Sequence, residues 1–378
     1  MSLPLSAGWR GYWRVLRNRL LSSPAFQRWA VDFPLTRPIA QRRARALFDV
    51  TAGFVYAQVL FACVRLGLLP LLAAGPRPLV DLARHLDLSE AAAGRLLKAA
   101  ASLGLAEPWP GGAYGLGPQG AALLGNPGIA AMVEHHAMLY GDLADPVALL
   151  RGERRHTDLG AYWSYAAAQD PARLGPEAVA DYTGLMAASQ ALIAGDILDA
   201  YSLKGHAGLL DVGGGDGTFA ASVAARWPHL RLQLFDLPPV AARAQARFER
   251  EGLARRAQAQ GGDMLTDALP TGADVISLVR VVHDHDDAAV MSLLGRVRAA
   301  LPPGGTLLLA EPMAGTPGAE PMGEAYFGFY LLAMGSGRPR TPAELRAMLS
   351  EAGFCRVRQR RTRRPLLTGI VTAQVPAP

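Results

Sequence analysis

The segment Leu209–Phe219, LLDVGGGDGTF, decides the fold of this 378-residue chain. A short apolar run predicts a buried strand, the glycine-rich run after it predicts a turn, and Thr218 begins a helical pattern. Glycine adopts positive φ easily and lets the backbone approach a ligand closely. A strand, glycine turn and helix in this order indicate an α/β domain that binds its ligand at the carboxyl ends of the strands.

The sequence around this segment repeats the same alternation of strand and helix. Apolar strand-like runs occupy residues 208–215, 230–237, 273–282 and 305–312. Helical patterns occupy residues 218–227, 240–252, 286–301 and 341–353. Such alternation predicts a doubly wound, mostly parallel, Rossmann-like sheet over residues 206–378.

Residues 41–128 have the pattern of a winged helix. A helix over 80–86 is followed by Ser89 as a helix N-cap, a second helix over 90–103 and a Gly/Pro-rich hairpin over 108–118. Residues 71–125 hold four basic and four acidic side chains. A DNA-reading domain normally carries a basic stripe, so we expect no nucleic-acid partner and interpret this α-helical domain as a dimerisation scaffold.

Residues 1–40 form a basic amphipathic arm. Trp9, Tyr12, Trp13, Leu16 and Leu20 recur at helical spacing, with arginines on another face. Residues 1–50 hold nine arginines and two aspartates, a net charge of +7, against +6 for the whole chain. Such a helix suits an anionic membrane surface, and the alternative is that it packs on the protein's own body or on a dimer mate.

Cysteine usage and hydropathy indicate a reduced, cytoplasmic protein, with the arm as a peripheral contact to the inner membrane. Cys63 and Cys355 are far apart in sequence and form neither a disulfide framework nor a metal-binding motif. The most apolar region, residues 54–75, is broken by Arg65, Gly67 and Pro70. We interpret it as a buried helix and its end, not as a membrane span.

Residues 129–205 are predicted to be helical and to contribute to a substrate pocket, together with residues 320–337. The segments 132–141, 161–165 and 322–337 within these regions hold many aromatic residues, methionines and glycines and few charges, which indicates an apolar small-molecule substrate. His135 and His136 would bond a substrate oxygen or be buried histidines with protein partners.

Acidic residues at three successive strand ends identify the expected cofactor. The glycines at 213, 215 and 217, with Thr218 after them, do not fit the GxGxxG pattern of dinucleotide-binding domains. Asp211 suits a cationic amino group, Asp236 suits ribose hydroxyls, and Asp263 suits an exocyclic amine. These groups together describe S-adenosylmethionine. The expected contacts are Asp211, Gly213, Gly215, Asp236, Leu237, Asp263, Met264 and Arg280.

The run RVVHDHDD, residues 280–287, is the candidate catalytic segment. His283 follows a strand on the same sheet edge as the glycine turn, where a general base would face the reacting group. His283 and His285 are alternatively a metal-binding pair, and a structural role is the third interpretation. We expect no metal, because the acids after His285 suit the start of the next helix.

Taken together, these motifs resemble the cation-independent, plant-type O-methyltransferase family. The resemblance covers roughly residues 45–375 and rests on DVGGGDG (211–217), FDLP (235–238), GDM (262–264), His-Asp (283–284) and RT-x-x-E-L (340–345). It implies a homodimer with His283 as general base and Glu311 orienting it; Asp284 contacts the substrate hydroxyl or caps the loop. His285 stands where the family has tryptophan, and Pro339 where the family often has a second glutamate.

The arm over residues 16–49 and the segment 363–374 resemble the carotenoid O-methyltransferases of phototrophic bacteria, which act on demethylspheroidene or hydroxyneurosporene. The resemblance implies methylation of the tertiary 1-hydroxyl of an acyclic carotenoid. The alternative acceptors are a bacteriochlorophyll precursor and a polyketide or phenolic hydroxyl. A winged-helix transcription regulator is a second class of protein, but the helix-turn-helix carries no net positive charge. A metal-dependent phosphohydrolase is a third class, but it would need further His and Asp ligands at helical spacing, which the sequence does not show.

Overall fold

The computed structural model describes residues 9–154, 156–163, 185–187, 190, 193–365 and 368–377. The chain forms two compact units, Met1–Ala121 and Ala122–Pro378. The predicted end of the arm at residue 40 falls inside a long helix, so the arm has no structural boundary there. Most of residues 164–192, which belong to the predicted helical part of the pocket, lie outside the described residues.

The first unit consists of helices and one small sheet. Its three strands are antiparallel, in the order β1–β3–β2. The elements are α1 (Trp9–Leu21), α2 (Pro24–Asp32), α3 (Arg37–Arg65), α4 (Leu68–Ala73), β1 (Arg77–Pro78), α5 (Leu79–His85), α6 (Glu90–Ser102), β2 (Ala106–Trp109), β3 (Ala113–Leu116) and α7 (Pro118–Leu124).

The winged-helix elements form where the sequence predicts them. Ser89 has an extended backbone and its hydroxyl accepts a hydrogen bond from the amide of Ala92, which satisfies a free donor in the first turn of α6. The hairpin of β2 and β3 follows, joined by a short turn at Pro110–Gly112. The winged-helix prediction is confirmed for this unit.

Helix α3 differs from the prediction of a buried helix. Cys63 is its only buried residue, while Phe48, Val50 and Phe54 are 62%, 81% and 74% exposed. By length and composition α3 could cross a membrane, since an 18-residue window has a mean hydropathy of 1.7. The prediction was wrong because apolar composition alone does not show that the same chain covers a helix. An exposed apolar face of this size is typical of an interaction surface.

The second unit carries the predicted α/β fold. Its strands are β4 (Gly208–Val212), β5 (Arg231–Asp236), β6 (Ala257–Gly261), β7 (Val275–Val279), β8 (Thr306–Glu311), β9 (Cys355–Arg360) and β10 (Gly369–Gln374). Its helices are α8 (Pro127–Asp142), α9 (Pro146–Leu150), α10 (Asp158–Tyr162), α11 (Thr218–Arg226), α12 (Pro238–Arg250), α13 (Asp287–Ala300), α14 (Gly328–Met334) and α15 (Pro342–Glu351), with a further helical segment over 193–200.

The seven strands form one sheet in the order β6–β5–β4–β7–β8–β10–β9. The first five are parallel, and β10 and β9 close the sheet in antiparallel pairing. Alternate residues of one strand join two different hydrophobic clusters: Leu278 lies in one and Val279 in the other. Both faces of the sheet are therefore covered, as continuous apolar strands require.

The strand predicted over 273–282 ends at Val279. Arg280 has a φ of +58°, which takes the chain out of the sheet, and a 3-10 turn follows at Val282–Asp284. A positive φ on a non-glycine residue is strained and is most often held in place at a functional site. The parallel strands β4, β5, β7 and β8 all end at this edge of the sheet, so their carboxyl ends form the site.

Candidate active site

The glycine turn after β4 forms the floor of a cavity of about 430 Å³, a size typical of small-molecule sites. Gly213 has a φ of +67°, and a Cβ atom there would lie 2.7 Å from a methyl group of Val281. Only glycine therefore fits at this position. The turn lines the cavity with its backbone from Gly213 to Asp216.

Asp236, at the end of β5, lies beside this turn and lines the cavity. Its carboxylate accepts hydrogen bonds from the amide of Gly215 at 2.8 Å and from that of Leu237 at 2.7 Å. Burial raises the pKa of Asp236 to about 6, against the opposing effect of these two amides. Asp236 thus fixes the glycine turn and presents a carboxylate edge to a ligand, as an acid that binds ribose hydroxyls must.

Asp211 lies near the end of β4, as predicted, but its side chain is buried. Its side chain does not line the cavity: it is 1% exposed, and one oxygen accepts from the hydroxyl of Ser277 at 2.6 Å. A Cβ atom on Gly214 would lie 2.7 Å from the other oxygen, so Asp211 sits beneath the turn. Burial raises its pKa to about 7. The second carboxylate oxygen of Asp211 has no hydrogen-bond partner among the described residues, so contact with a ligand's amino group stays a prediction for this oxygen.

The other predicted contacts line the cavity: Leu237, Asp263, Met264 and Arg280, together with Gly213 and Gly215. Asp263 accepts from the amide of Leu265 at 2.8 Å, which leaves its carboxylate at the cavity wall. Met264 also packs against the hydrophobic cluster on one face of the sheet. An apolar wall, two acids and a glycine floor fit a ligand with an adenosine part and a cationic end.

Asp236→Ala should weaken binding of S-adenosylmethionine by roughly 1.5–3 kcal/mol, the cost of a lost hydrogen bond to a charged group. Calorimetry measures this directly. The matched control is Asp274→Ala: Asp274 also accepts two backbone amides, those of Ala207 and Gly208, but at the amino ends of the strands. Equal affinities of the Asp236 variant and the wild type would exclude the ribose role.

His283 and Glu311 form a buried pair at the ends of β7 and β8. The Nδ1 atom of His283 lies 2.6 Å from Oε2 of Glu311, and the two residues are 6% and 2% exposed. The other oxygen of Glu311 accepts the amides of Val281 and Val282 at 3.0 and 2.8 Å. One carboxylate therefore fixes both the imidazole and the turn that carries it, and leaves Nε2 as the nitrogen that can accept a proton.

Two carboxylates face the ring of His283. Besides Glu311 on Nδ1, an oxygen of Asp284 lies 3.2 Å from Nε2. Burial lowers the pKa of His283, but the charges of Asp284 and Glu311 outweigh burial and raise this pKa above its ordinary value. An imidazole held this way has a carboxylate on each ring nitrogen, and its imidazolium form is stabilised by both, as a general base requires.

Asp284 and His285 line the cavity, whereas His283 lies just behind them. Burial lowers the pKa of His285, which favours its neutral form. Both ring nitrogens of His283 already face carboxylates, Nδ1 that of Glu311 and Nε2 that of Asp284. Among the residues that the structure describes, no group of three or more His, Cys, Asp or Glu side chains could hold a metal ion.

The segment 335–340 packs on the His-Asp turn. Ser336 donates its hydroxyl to the carbonyl oxygen of Asp284, and the amide of Gly337 donates to Asp286. Gly337 has a φ of +80°, and a Cβ atom there would overlap the carbonyl oxygen of His283. Pro339 belongs to this segment and stands where the family often has a second glutamate. Because proline brings no carboxylate, the carboxylates on the His283 ring are those of Glu311 and Asp284.

An aromatic cluster with two histidines lies on the other side of His283. Tyr330 bonds through its hydroxyl to Nε2 of His135 and to the indole N–H of Trp163, both at 2.8 Å. His136 bonds the hydroxyl of Tyr326 at 2.7 Å. The ring of Phe327 meets that of His283 edge to face at 5.7 Å. The histidines at 135 and 136 thus have protein partners, which agrees with the second of the two predicted roles.

Sequence reasoning missed Ser277 and the role of Arg340. Ser277 is the one polar residue of the strand VISLV, and that break in an apolar run was a signal that a neighbouring strand carries a buried acid. Arg340 was noted only as part of a helix start. It is 3% exposed and bonds the carbonyl oxygens of Val282 and His285.

Comparisons with known proteins agree with this geometry. The family model of the O-methyltransferase domain matches residues 140–355, and that of the O-methyltransferase dimerisation domain matches residues 48–126. Demethylspheroidene O-methyltransferase of Cereibacter sphaeroides is 44% identical over 361 residues, 95% of this chain and 94% of that protein. Acetylserotonin O-methyltransferase of Mus musculus is 34% identical over 86% of this chain and 87% of its own.

Solved structures show the same fold. Human N-acetylserotonin methyltransferase in complex with SAM gives a TM-score of 0.73 at 24% identity, covering 89% of this chain and 98% of that one. The α/β sheet, the site at its carboxyl edge and the family matches together define the class: this chain belongs to the O-methyltransferase family with an N-terminal dimerisation domain. It is an S-adenosylmethionine-dependent O-methyltransferase.

The dimerisation domain also explains the exposed face of α3. The match begins at residue 48, within α3, and the domain supports a homodimer. A second copy of the chain is the partner expected for apolar side chains such as those of Phe48, Val50 and Phe54. Helices α1 and α2 precede the matched domain, so the dimerisation-domain match does not explain their exposed aromatic side chains.

Proposed function

We propose that this enzyme methylates the tertiary 1-hydroxyl of an acyclic carotenoid of the demethylspheroidene type. The observation that supports the proposal most is the identity of 44%, over 95% of the chain, to the relative named for that acceptor. The aromatic side chains near the site suit an apolar acceptor, because Trp163 lines the cavity and the hydroxyls of Tyr326 and Tyr330 bond protein partners.

His283 is the proposed general base. S-adenosylmethionine supplies an electrophilic methyl group on a sulfonium when it is bound. Nε2 of His283 takes the proton of the acceptor hydroxyl, while Glu311 holds the N–H of Nδ1 and stabilises the imidazolium that forms. In this scheme the acceptor hydroxyl displaces Asp284 from Nε2, and the released carboxylate stays close enough to balance the new positive charge.

The acidity of the acceptor explains why a tightly held base is needed. A phenol has a pKa of about 10 and is easily deprotonated before transfer. An aliphatic alcohol has a pKa near that of water, about 16, so its proton must leave as the C–O bond forms. A base fixed by hydrogen bonds at the end of two strands keeps the required alignment throughout that step.

The acidic limb of kcat/KM against pH should lie above 6.5, the ordinary pKa of histidine, because the carboxylates raise the pKa of His283. Activity falls as the pH drops through this raised pKa, since protonated Nε2 cannot accept a proton. Asp284→Asn removes one of the raising charges and should move the limb to lower pH. Steady-state pH profiles of both proteins test this; identical limbs would show that another group controls the rate.

Product analysis tests the acceptor. The enzyme is incubated with labelled S-adenosylmethionine and, separately, with a 1-hydroxy carotenoid, a bacteriochlorophyll precursor and a phenolic polyketide. A product 14 mass units heavier and labelled on oxygen is expected with the carotenoid. If only one of the other two acceptors is methylated, the proposed carotenoid acceptor is wrong, and the enzyme is a methyltransferase for that other acceptor.

We also propose that the enzyme associates peripherally with a membrane through α1 and α2. No residue of α1 is buried, and Trp9, Tyr12 and Trp13 are 74%, 57% and 51% exposed. Trp29 and Phe33 of the next helix stack at 5.3 Å and are also exposed. Aromatic residues with a surplus of arginine suit the headgroup region of an anionic bilayer, where an acyclic carotenoid would be dissolved.

Replacing Trp9 and Trp13 by Ala and Arg10, Arg14 and Arg17 by Gln should reduce binding to phosphatidylglycerol-containing vesicles by at least about tenfold, since each lost cation removes about 1 kcal/mol. Co-sedimentation measures this. The control is Trp109→Ala, which changes an exposed tryptophan of the small hairpin. Unchanged vesicle binding, with an altered dimer by ultracentrifugation, would assign the arm to the partner subunit instead.

A further inference from the structure

We propose that Arg340 is a positioning residue for catalysis: its buried guanidinium holds the turn that carries His283 against the strand end that carries Glu311. The inference rests on the proposed function of His283 as the base. It concerns a residue that touches neither the cavity nor the ring of His283.

The side chain of Arg340 bonds the His-Asp turn on both sides. Its Nη1 donates to the carbonyl oxygen of Val282 at 2.7 Å, and its Nη2 donates to that of His285 at 2.8 Å. These two carbonyls flank His283 and Asp284 in sequence. A planar guanidinium reaches both at once, whereas an ammonium group has no such fork.

The same guanidinium also fixes the start of the next helix. Nε and Nη2 of Arg340 donate to one carboxylate oxygen of Asp287, at 3.0 and 2.6 Å. Asp287 is the first residue of α13, so the turn is held where it enters the helix. Among the described residues, this one side chain therefore contacts the backbone before His283, the backbone after Asp284 and the helix that follows.

The backbone of Arg340 is tied to the other half of the pair. Its carbonyl oxygen accepts the amide of Ala314 at 3.1 Å, three residues after Glu311. Arg340 thus connects the continuation of β8, which carries Glu311, with the turn that carries His283. The contact of 2.6 Å between His283 and Glu311 depends on the relative position of these two segments.

Burial makes the loss of this side chain costly for geometry. Arg340 is 3% exposed, so its removal leaves the carbonyls of Val282 and His285 without their donors in a place that water reaches poorly. The turn then shifts to satisfy them. A shift of about 1 Å is enough to lower turnover on the order of 10²-fold, because transfer requires close alignment.

Arg340→Ala should lower kcat by on the order of 10–10²-fold, with S-adenosylmethionine affinity within about threefold of the wild type. The kcat of Arg340→Lys should lie between those of the wild type and Arg340→Ala. The acidic limb of kcat/KM should move to lower pH in Arg340→Ala, because a looser contact with Glu311 raises the pKa of His283 less. Added guanidinium, at concentrations well below denaturing ones, should restore part of kcat to Arg340→Ala.

Arg338→Gln is the matched control. Arg338 lies on the same segment and pairs with Asp287 and Glu344, but it is half-exposed and donates to no carbonyl of residues 282–285. Its variant should keep kcat and the pH profile. Melting temperatures of all variants separate a loss of folding from a loss of position.

A double variant links the effect to the base. If Arg340 acts through His283, the double variant His283→Ala/Arg340→Ala should be no slower than His283→Ala alone, because residues that act as a unit are not additive. A wild-type kcat in Arg340→Ala overturns the proposal. A low kcat overturns it too if the acidic limb of kcat/KM is unchanged and added guanidinium restores no activity. Near-normal turnover of His283→Ala would instead contradict the base itself, a separate failure.

Discussion

His283→Ala should lower kcat by about 10²–10⁴-fold, the usual contribution of general acid–base catalysis, while S-adenosylmethionine binds with unchanged affinity. The expectation follows from the position of the ring, which lies behind the cavity wall and is bonded to Glu311. Removing it leaves the glycine turn and Asp236 intact. Single-turnover rates with the acceptor, and calorimetry with the cofactor, measure the two effects separately.

The chain offers a matched control for this variant. His206 also pairs with a carboxylate, that of Asp274 at 2.9 Å, but at the amino ends of the strands, away from the site. His206→Ala should therefore keep kcat. Turnover close to that of the wild type in His283→Ala would mean that positioning alone drives transfer and that no base is required.

Glu311→Gln should lower kcat nearly as far as His283→Ala, by about 10²–10⁴-fold. The amides of Val281 and Val282 both donate to one oxygen of Glu311, so they would hold the carbonyl oxygen of the glutamine. The glutamine NH2 then donates to Nδ1 of His283, which places the ring proton on Nε2. A base in the wrong tautomer cannot accept the hydroxyl proton.

The structural cost of this variant is small, which makes the test sharp. Glutamine has the shape of glutamate and keeps both backbone hydrogen bonds, so the melting temperature and cofactor affinity should change little. A mild loss of kcat in Glu311→Gln would show that Glu311 only anchors the turn and that the tautomer of His283 does not depend on the charge of Glu311. Restored activity at higher pH would argue for the same conclusion.

The parallel core of the fold was predictable because its signals are local. Apolar runs, the glycine turn and helix caps such as Ser89 each specify an element within about ten residues of sequence. The antiparallel strands β9 and β10 were not predicted: β9 reads CRVRQR, and its arginines lie on an exposed edge where charge discourages pairing with other chains.

The site was predictable where a residue stands at a strand end and not where it depends on distant partners. His283, Glu311 and Asp236 follow from that rule. The burial of Asp211 was not predicted, because its side chain bonds Ser277 in the neighbouring strand. The exposure of α3 was missed because a sequence period marks an apolar face without showing whether the same chain covers that face.

The supports of the base come from one part of the chain and most of the aromatic cluster from another. Glu311 and Gly337 hold the His-Asp turn, while His135, Trp163 and Tyr330 form a separate hydrogen-bonded cluster. Replacing His135 or Trp163 therefore leaves the bonds on His283 in place, whereas Phe327 packs on the ring of His283 and belongs to both parts. The relatives of this chain are named for acceptors as different as demethylspheroidene and acetylserotonin, and a base held apart from most of the aromatic cluster is compatible with such a range.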